Sequence, residues 1–164
     1  MKRIVLVALL CLGSLPVWSQ VKFVDMGLSV KWATCNVGTN KPEGYGSYLT
    51  FDELSSVSNA NRRVPTDNEW TELRVNCSWE WTTMNGVNGM KVTSSYTGNS
   101  IFLPAAGYRN TVGSLNDQGS NGYYWSSTAR DSSNAWLVYF YSGGVSRCYY
   151  YRSYGYSVRP VTGY

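Results

Sequence analysis

Only one stretch of this chain carries the marks of a long helix, and that limits most of what it can fold into. Pro65 is followed by Thr66-Asp67-Asn68-Glu69. The Thr66 hydroxyl can cap the Glu69 amide, the Glu69 carboxyl can reach back to the Thr66 amide, and Asp67 suits the positive end of a helix. Trp70, Leu73 and Cys77 then recur at spacings of three and four, the apolar stripe of a helix packed on a sheet. That helix is expected over about 66–77. Elsewhere the apolar pattern is short, alternating and cut by Gly, Asn, Ser and Pro, as in strands and turns. The expected class is α+β, with mixed or antiparallel sheets, one main helix and long loops.

Residues 24–37 read as a leading strand pair broken at Gly27, and Phe51 to Ser58 as a short helical turn. Strands follow at 78–83, 90–93, 100–104, 123–127 and 135–141, with turn-rich 85–89 and a polar loop over 113–122. In the strand at 135–141, Trp136, Val138 and Phe140 share one face, expected to be core. Leu137, Tyr139 and Tyr141 share the other, expected to be available. Pro160 places Val158 to Val161 at a strand end or sheet edge.

Lys2 and Arg3 precede the apolar run Ile4 to Leu12, and Val17-Trp18-Ser19 follows, the pattern of a secretory leader. Residues 1–19 are expected to be a signal peptide cleaved after Ser19, leaving 20–164 as one exported domain, secreted or at the cell surface. Leu10 is too bulky to favour lipid attachment at Cys11. No apolar run reaches the roughly 20 residues of a membrane span. Without Lys2 and Arg3 the chain keeps twelve basic and ten acidic side chains, too even a balance to imply nucleic acid. Export permits a disulfide. Cys35 with Cys77 is the favoured pair because both lie in framework-like segments, and the alternative is three unpaired thiols.

Between Tyr139 and Tyr156 stand seven tyrosines in 18 residues, interleaved with Ser, Gly and Arg. Tyrosine offers a large amphipathic surface with few rotors to freeze, and antibody paratopes use the same mixture. An aromatic-rich sheet would explain the stretch equally well. From Ser146 to Tyr156 the tyrosines fall on both parities, so that segment reads as displayed more than buried.

The chain contains no histidine, which removes Ser-His-Asp and Cys-His nucleophile systems and every histidine-containing metal site. Of the carboxylates, Asp52, Glu53, Asp67, Glu69 and Glu72 cluster, but surface and capping roles account for them better than a glycosidase pair. Asn116-Asp117 alone is a weak cation site. No catalytic residue, metal or cofactor is expected.

The segments VDMGLSVKWATCNVG at 24–38, RVPTDNEWTEL at 63–73, WEWTTMNGVNGMKV at 79–92, SIFLPAAGYR at 100–109, GYYWSST at 122–128 and YGYSVRPV at 154–161 occur in order. Together they resemble the Fibrobacter succinogenes major paralogous domain family. The resemblance covers nearly all of 20–164 and implies a C-type-lectin-like fold. It also implies kinship with the variable proteins of diversity-generating retroelements, in which AAC codons of a C-terminal segment are randomised. Such codons never yield Lys, Glu, Gln, Met or Trp; from Gly119 to Tyr164 there is no Lys, Glu, Gln or Met, and the only tryptophans, Trp125 and Trp136, sit in framework strands. On that reading the contact positions are Arg130, Asp131, Ser132, Leu137, Tyr139, Tyr141, Ser146, Arg147, Tyr149, Tyr150, Tyr151, Tyr154 and Tyr156, with Cys148 a random outcome. Trp136, Val138, Phe140, Val158 and Pro160 hold the scaffold. The expectation is a ligand-binding module for a protein or carbohydrate, or else a structural subunit of a surface assembly.

Overall fold

The helix forms where its cap demands. In a computed structural model that describes residues 21–164, α1 runs Asp67–Asn76. The Thr66 hydroxyl accepts the Glu69 amide at 3.2 Å, and the Glu69 carboxylate accepts the Thr66 amide at 2.7 Å. A cap of this kind stabilises a helix by about 1 kcal/mol. Trp70 and Leu73 are buried and Cys77 packs against them, as the stripe predicts. The leader expected at 1–19, including Cys11, lies outside the described residues. Among the described residues no helix is long and apolar enough to cross a membrane.

Small antiparallel sheets make up the rest, so the class is α+β. β1 (Phe23–Val24) pairs with β2 (Lys31–Ala33), whose other side takes β11 (Val161–Thr162). β3 (Cys77–Met84), β4 (Val87–Ser94) and β5 (Ser100–Pro104) form a second sheet. The β3–β4 turn is tighter than the sequence suggests. Asn85 and Gly86 alone make it, both at positive φ as a two-residue hairpin requires. β6 (Tyr108–Arg109) and β7 (Leu115–Asn116) make a small ribbon. β8 (Asn121–Ala129), β9 (Asn134–Tyr141) and β10 (Gly144–Tyr151) form the third three-stranded sheet, in the order β10-β9-β8. Phe51–Val57 is a 3-10 helix.

The β8–β9–β10 sheet is packed on both sides, and this decides the site. One face meets α1, β2, β4 and β5 through Tyr124, Val138 and Phe140. The other meets Leu54, Val57 and Val64 through Trp125, Ala135 and Leu137. Gly122 allows the first contact, because a Cβ there would run into the Phe140 ring.

After β10 the chain runs back beneath the second face. Tyr156 and Leu49 exchange two backbone hydrogen bonds of 3.0 Å, and Trp125 donates its amide to the Ser157 carbonyl. Arg159 fixes this return. Fully buried, it donates to Asn36 Oδ1 at 2.9 Å, the Ala33 carbonyl at 3.0 Å and the Phe102 carbonyl at 2.8 Å. Burial holds its pKa below the usual arginine value. These bonds join the first sheet, the second and the C-terminal segment.

Cys35, Cys77 and Cys148 are all free thiols, so the expected Cys35–Cys77 bridge is not formed. Cys35 borders a surface cavity between β2 and the 38–42 loop, whereas Cys77 packs at the end of α1. Framework-like patterning marked both as partly buried but carried no information on their separation.

Candidate functional site

β10 is a regular edge strand, so its side chains alternate between the two faces of the sheet. Cys148 stands opposite Leu137 and Tyr150 opposite Ala135, while Tyr149 stands opposite Trp136 and Arg147 opposite Val138. The segment expected to be displayed is exposed at Ser146, Arg147, Tyr149, Tyr150 and Tyr151, and it is displayed as a strand with two working faces. Its outer edge pairs with no other strand among those described.

On the face with Leu137, the tyrosines form a continuous network. Tyr141 stacks on Tyr139 at a ring separation of 5.8 Å, and Tyr139 lies 5.0 Å from Tyr123. From Tyr123 the contacts branch to Tyr108 (5.3 Å), Tyr150 (5.9 Å) and Tyr156 (5.5 Å), and Tyr154 stacks on Tyr108 at 5.7 Å. Tyr151 touches Tyr154 at 5.9 Å. The network has two layers. Tyr156 at 1% exposure and Tyr123 at 7% lie beneath, on Trp125 and Leu137. Tyr141 at 45%, Tyr150 at 41% and half-buried Tyr139, Tyr154 and Tyr108 lie above.

Burial, then the charge and hydrogen bond of Asp117, push the Tyr123 phenol up. Burial raises Tyr156 as well. Both phenols are neutral throughout the physiological range. Cys148 is half-buried beside them, and desolvation pushes its thiol up to about 12, which makes it a poor nucleophile.

The opposite face carries arginines on aromatic platforms. The Arg147 guanidinium lies 3.2 Å from the centre of the Trp136 ring and pairs with Asp67 at 2.8 Å. Tyr149 meets Trp136 edge-on at 5.4 Å, and Arg130 caps Tyr149 at 3.4 Å. The result is a chain of contacts from α1 to the β8–β9 turn: Asp67, Arg147, Trp136, Tyr149, Arg130. Such cation–ring contacts are each worth about 0.5–1 kcal/mol at exposed positions.

The positions expected to make one surface thus divide. Tyr139, Tyr141, Tyr150 and Tyr154 come together on the tyrosine face, with exposed Ser146 at its edge. Arg130, Arg147 and Tyr149 come together on the arginine face, and Tyr151 sits at the strand end. Asp131 and Ser132 lie in the exposed β8–β9 turn, where the Asp131 carboxylate accepts the Ser133 and Asn134 amides at 2.8 Å each. Leu137 and Tyr156 are corrections. Both are 1% exposed and belong to the core, because each face of β9 is packed and the C-terminal return carries Tyr156 inward. Trp136 is the reverse correction: assigned to the scaffold, it is half-buried and serves as the platform of the arginine face. Tyr108 and Tyr123 escaped sequence reasoning as site residues, and Asp117 was read only as a weak cation site with Asn116, since nothing local marks the three as neighbours of residues 139–154.

Each clustered carboxylate has a structural partner. Asp52 pairs with Arg152 at 2.7 Å, Glu53 caps Thr50, Asp67 pairs with Arg147, Glu69 with Arg63, and Glu72 accepts from Ser29. Among the described residues no group of three or more His, Cys, Asp or Glu side chains could hold a metal ion. A cavity of about 350 Å³ is lined by Thr34, Cys35, Asn36, Arg62 and Pro160 and by none of the network's tyrosines.

A family described as Domain of unknown function (DUF8237) matches residues 79–161, from β3 through β11. Searches of curated proteins and of solved structures give no match.

Proposed function

The chain belongs to the DUF8237 family, and because that description assigns no activity we propose a function from the site itself: an exported recognition module that binds a protein ligand through its tyrosine face and catalyses no reaction. The observation that carries this reading is the two-layered network. A buried inner layer fixes an outer layer of exposed rings, which gives rigid amphipathic anchors at low entropic cost. The engaged carboxylates and the missing histidine support a role without turnover. The framework segments support a C-type-lectin-like scaffold akin to the Fibrobacter succinogenes major paralogous domain. On that scaffold, retroelement diversification would act on Tyr139, Tyr141, Ser146, Arg147, Tyr149, Tyr150, Tyr151 and Tyr154 while sparing Leu137 and Tyr156. A near-copy of the coding segment downstream of the gene, with adenines at the differing bases, is the expected trace.

The test is to pan a random peptide display library on the immobilised protein and on its Tyr141→Ala/Tyr150→Ala/Tyr154→Ala variant. Binders selected on the parent should lose the variant while its melting temperature falls only modestly. Binders that keep full affinity for the variant refute the reading. The free edge of β10 favours a second reading, a subunit that assembles by strand pairing. Light scattering that shows a stable oligomer, lost on Arg147→Pro, whose amide faces the free edge, would select it.

A further inference from the structure

The outer tyrosines surround one carboxylate that nothing in the described chain neutralises. Asp117 lies at the β7–β8 turn with φ of 57°, and its carboxylate accepts the Tyr123 hydroxyl at 2.8 Å. The side chain is exposed and forms none of the ion pairs found among the described residues. The neighbouring arginines are committed elsewhere. Arg130 and Arg147 stack on the opposite face of the sheet, Arg152 pairs with Asp52 and lies over Phe51, Arg159 is buried, and Arg109 lies over Tyr48.

Phenols take the place of a cation around Asp117. The rings of Tyr108, Tyr139 and Tyr150 all lie within 6 Å of the Tyr123 ring that hydrogen-bonds it. Burial pushes all three phenols above the ordinary tyrosine value, helped by the Asp117 charge, which comes next at Tyr108, after Tyr150 and Tyr141 at Tyr139, and after Cys148 and Tyr108 at Tyr150. Aromatic faces with a carboxylate at their rim attract cations through the ring quadrupoles and the full charge together. The same arrangement repels anions.

We propose that the tyrosine face seats a basic side chain of a protein partner, with its ammonium or guanidinium group against the rings of Tyr108, Tyr139 and Tyr150 and the Asp117 carboxylate as counter-charge. This rests on the face being a recognition surface and names the chemistry it selects.

The test titrates the purified protein with Nα-acetyl-arginine amide, Nα-acetyl-lysine amide and Nα-acetyl-glutamate amide, following the tyrosine ring protons by NMR. Both basic probes should give saturable shifts at Tyr108, Tyr139 and Tyr150, and the acidic probe none. Asp117→Asn, which keeps an acceptor for Tyr123, should weaken the basic probes about tenfold, equivalent to the roughly 1.4 kcal/mol of one good contact. Tyr139→Leu, which keeps apolar bulk but removes the hydroxylated ring, should weaken them as well. Equal shifts from the acidic probe, or unchanged binding to Asp117→Asn, overturn the proposal. The library selection separates its failure from that of the recognition reading. Binders that need the tyrosines, tolerate Asp117→Asn and lack enrichment in Lys or Arg sink only the cation site.

Discussion

Tyr156 and Tyr150 are both tyrosines of the same C-terminal run, and their rings lie 6.2 Å apart, yet their removal should have very different costs. Tyr156 is 1% exposed and touches Trp125 at 4.7 Å, Tyr123 at 5.5 Å and Tyr108 at 5.9 Å. Its backbone anchors the C-terminal return to Leu49, which leaves little room for collapse. Truncating a buried aromatic ring to alanine costs about 3–5 kcal/mol, and aromatic pair terms place Tyr156→Ala in the upper part of that range. For a domain of this size each kcal/mol lowers the melting temperature by roughly 2–4 °C, so a fall of about 10 °C or more is expected. Tyr150 is 41% exposed and its ring loses less contact, so Tyr150→Ala should cost about 1 kcal/mol. Urea unfolding followed by tryptophan fluorescence, with the slope checked for constancy, measures both. If Tyr150→Ala proves as costly as Tyr156→Ala, the separation into a fixed inner layer and a replaceable outer layer is wrong.

The same contacts give three further expectations. Gly122→Ala should destabilise by about 1–3 kcal/mol, because the added methyl meets the Phe140 ring in a packed core, and thermal melts would show it. Asp67→Asn should cost about 1 kcal/mol, since it removes a partly buried ion pair and a helix-end charge, and 1 M NaCl should reduce that cost only in part. Cys77 and Cys148, pushed up by burial to about 11 and about 12, should resist iodoacetamide at pH 8 in the folded protein and react once it is unfolded in urea. Rapid native labelling at Cys148, read by mass spectrometry, would contradict the raised pKa of its half-buried thiol.

Features fixed by local chemistry were legible in the sequence. The Thr66–Glu69 capping box, the 3-10 turn at Phe51, the strand pair broken at Gly27 and the strand ending at Pro104 all depend on neighbours within a few residues. Face assignment in β9 was not legible. Alternation says that Trp136 and Leu137 point to opposite sides, but when both sides are packed it cannot say which is core. Tyr156 became a core residue through the buried Arg159 and the pairing with Leu49, contacts that span more than 100 residues. The site suffered the same limit. The tyrosine run announced a surface, whereas Tyr108, Tyr123 and Asp117, supplied by β6 and by the β7–β8 region, are joined to it only by the fold.

Hydrogen exchange of the protein with and without a peptide selected from the display library tests the recognition surface most directly. Slowed exchange is expected over residues 139–151 and in the 108–123 segment, with the β3–β4 hairpin at 84–88 unchanged. Protection confined to that hairpin, or to the cavity around Cys35 and Arg62, would place recognition elsewhere and contradict the assignment of the tyrosine face.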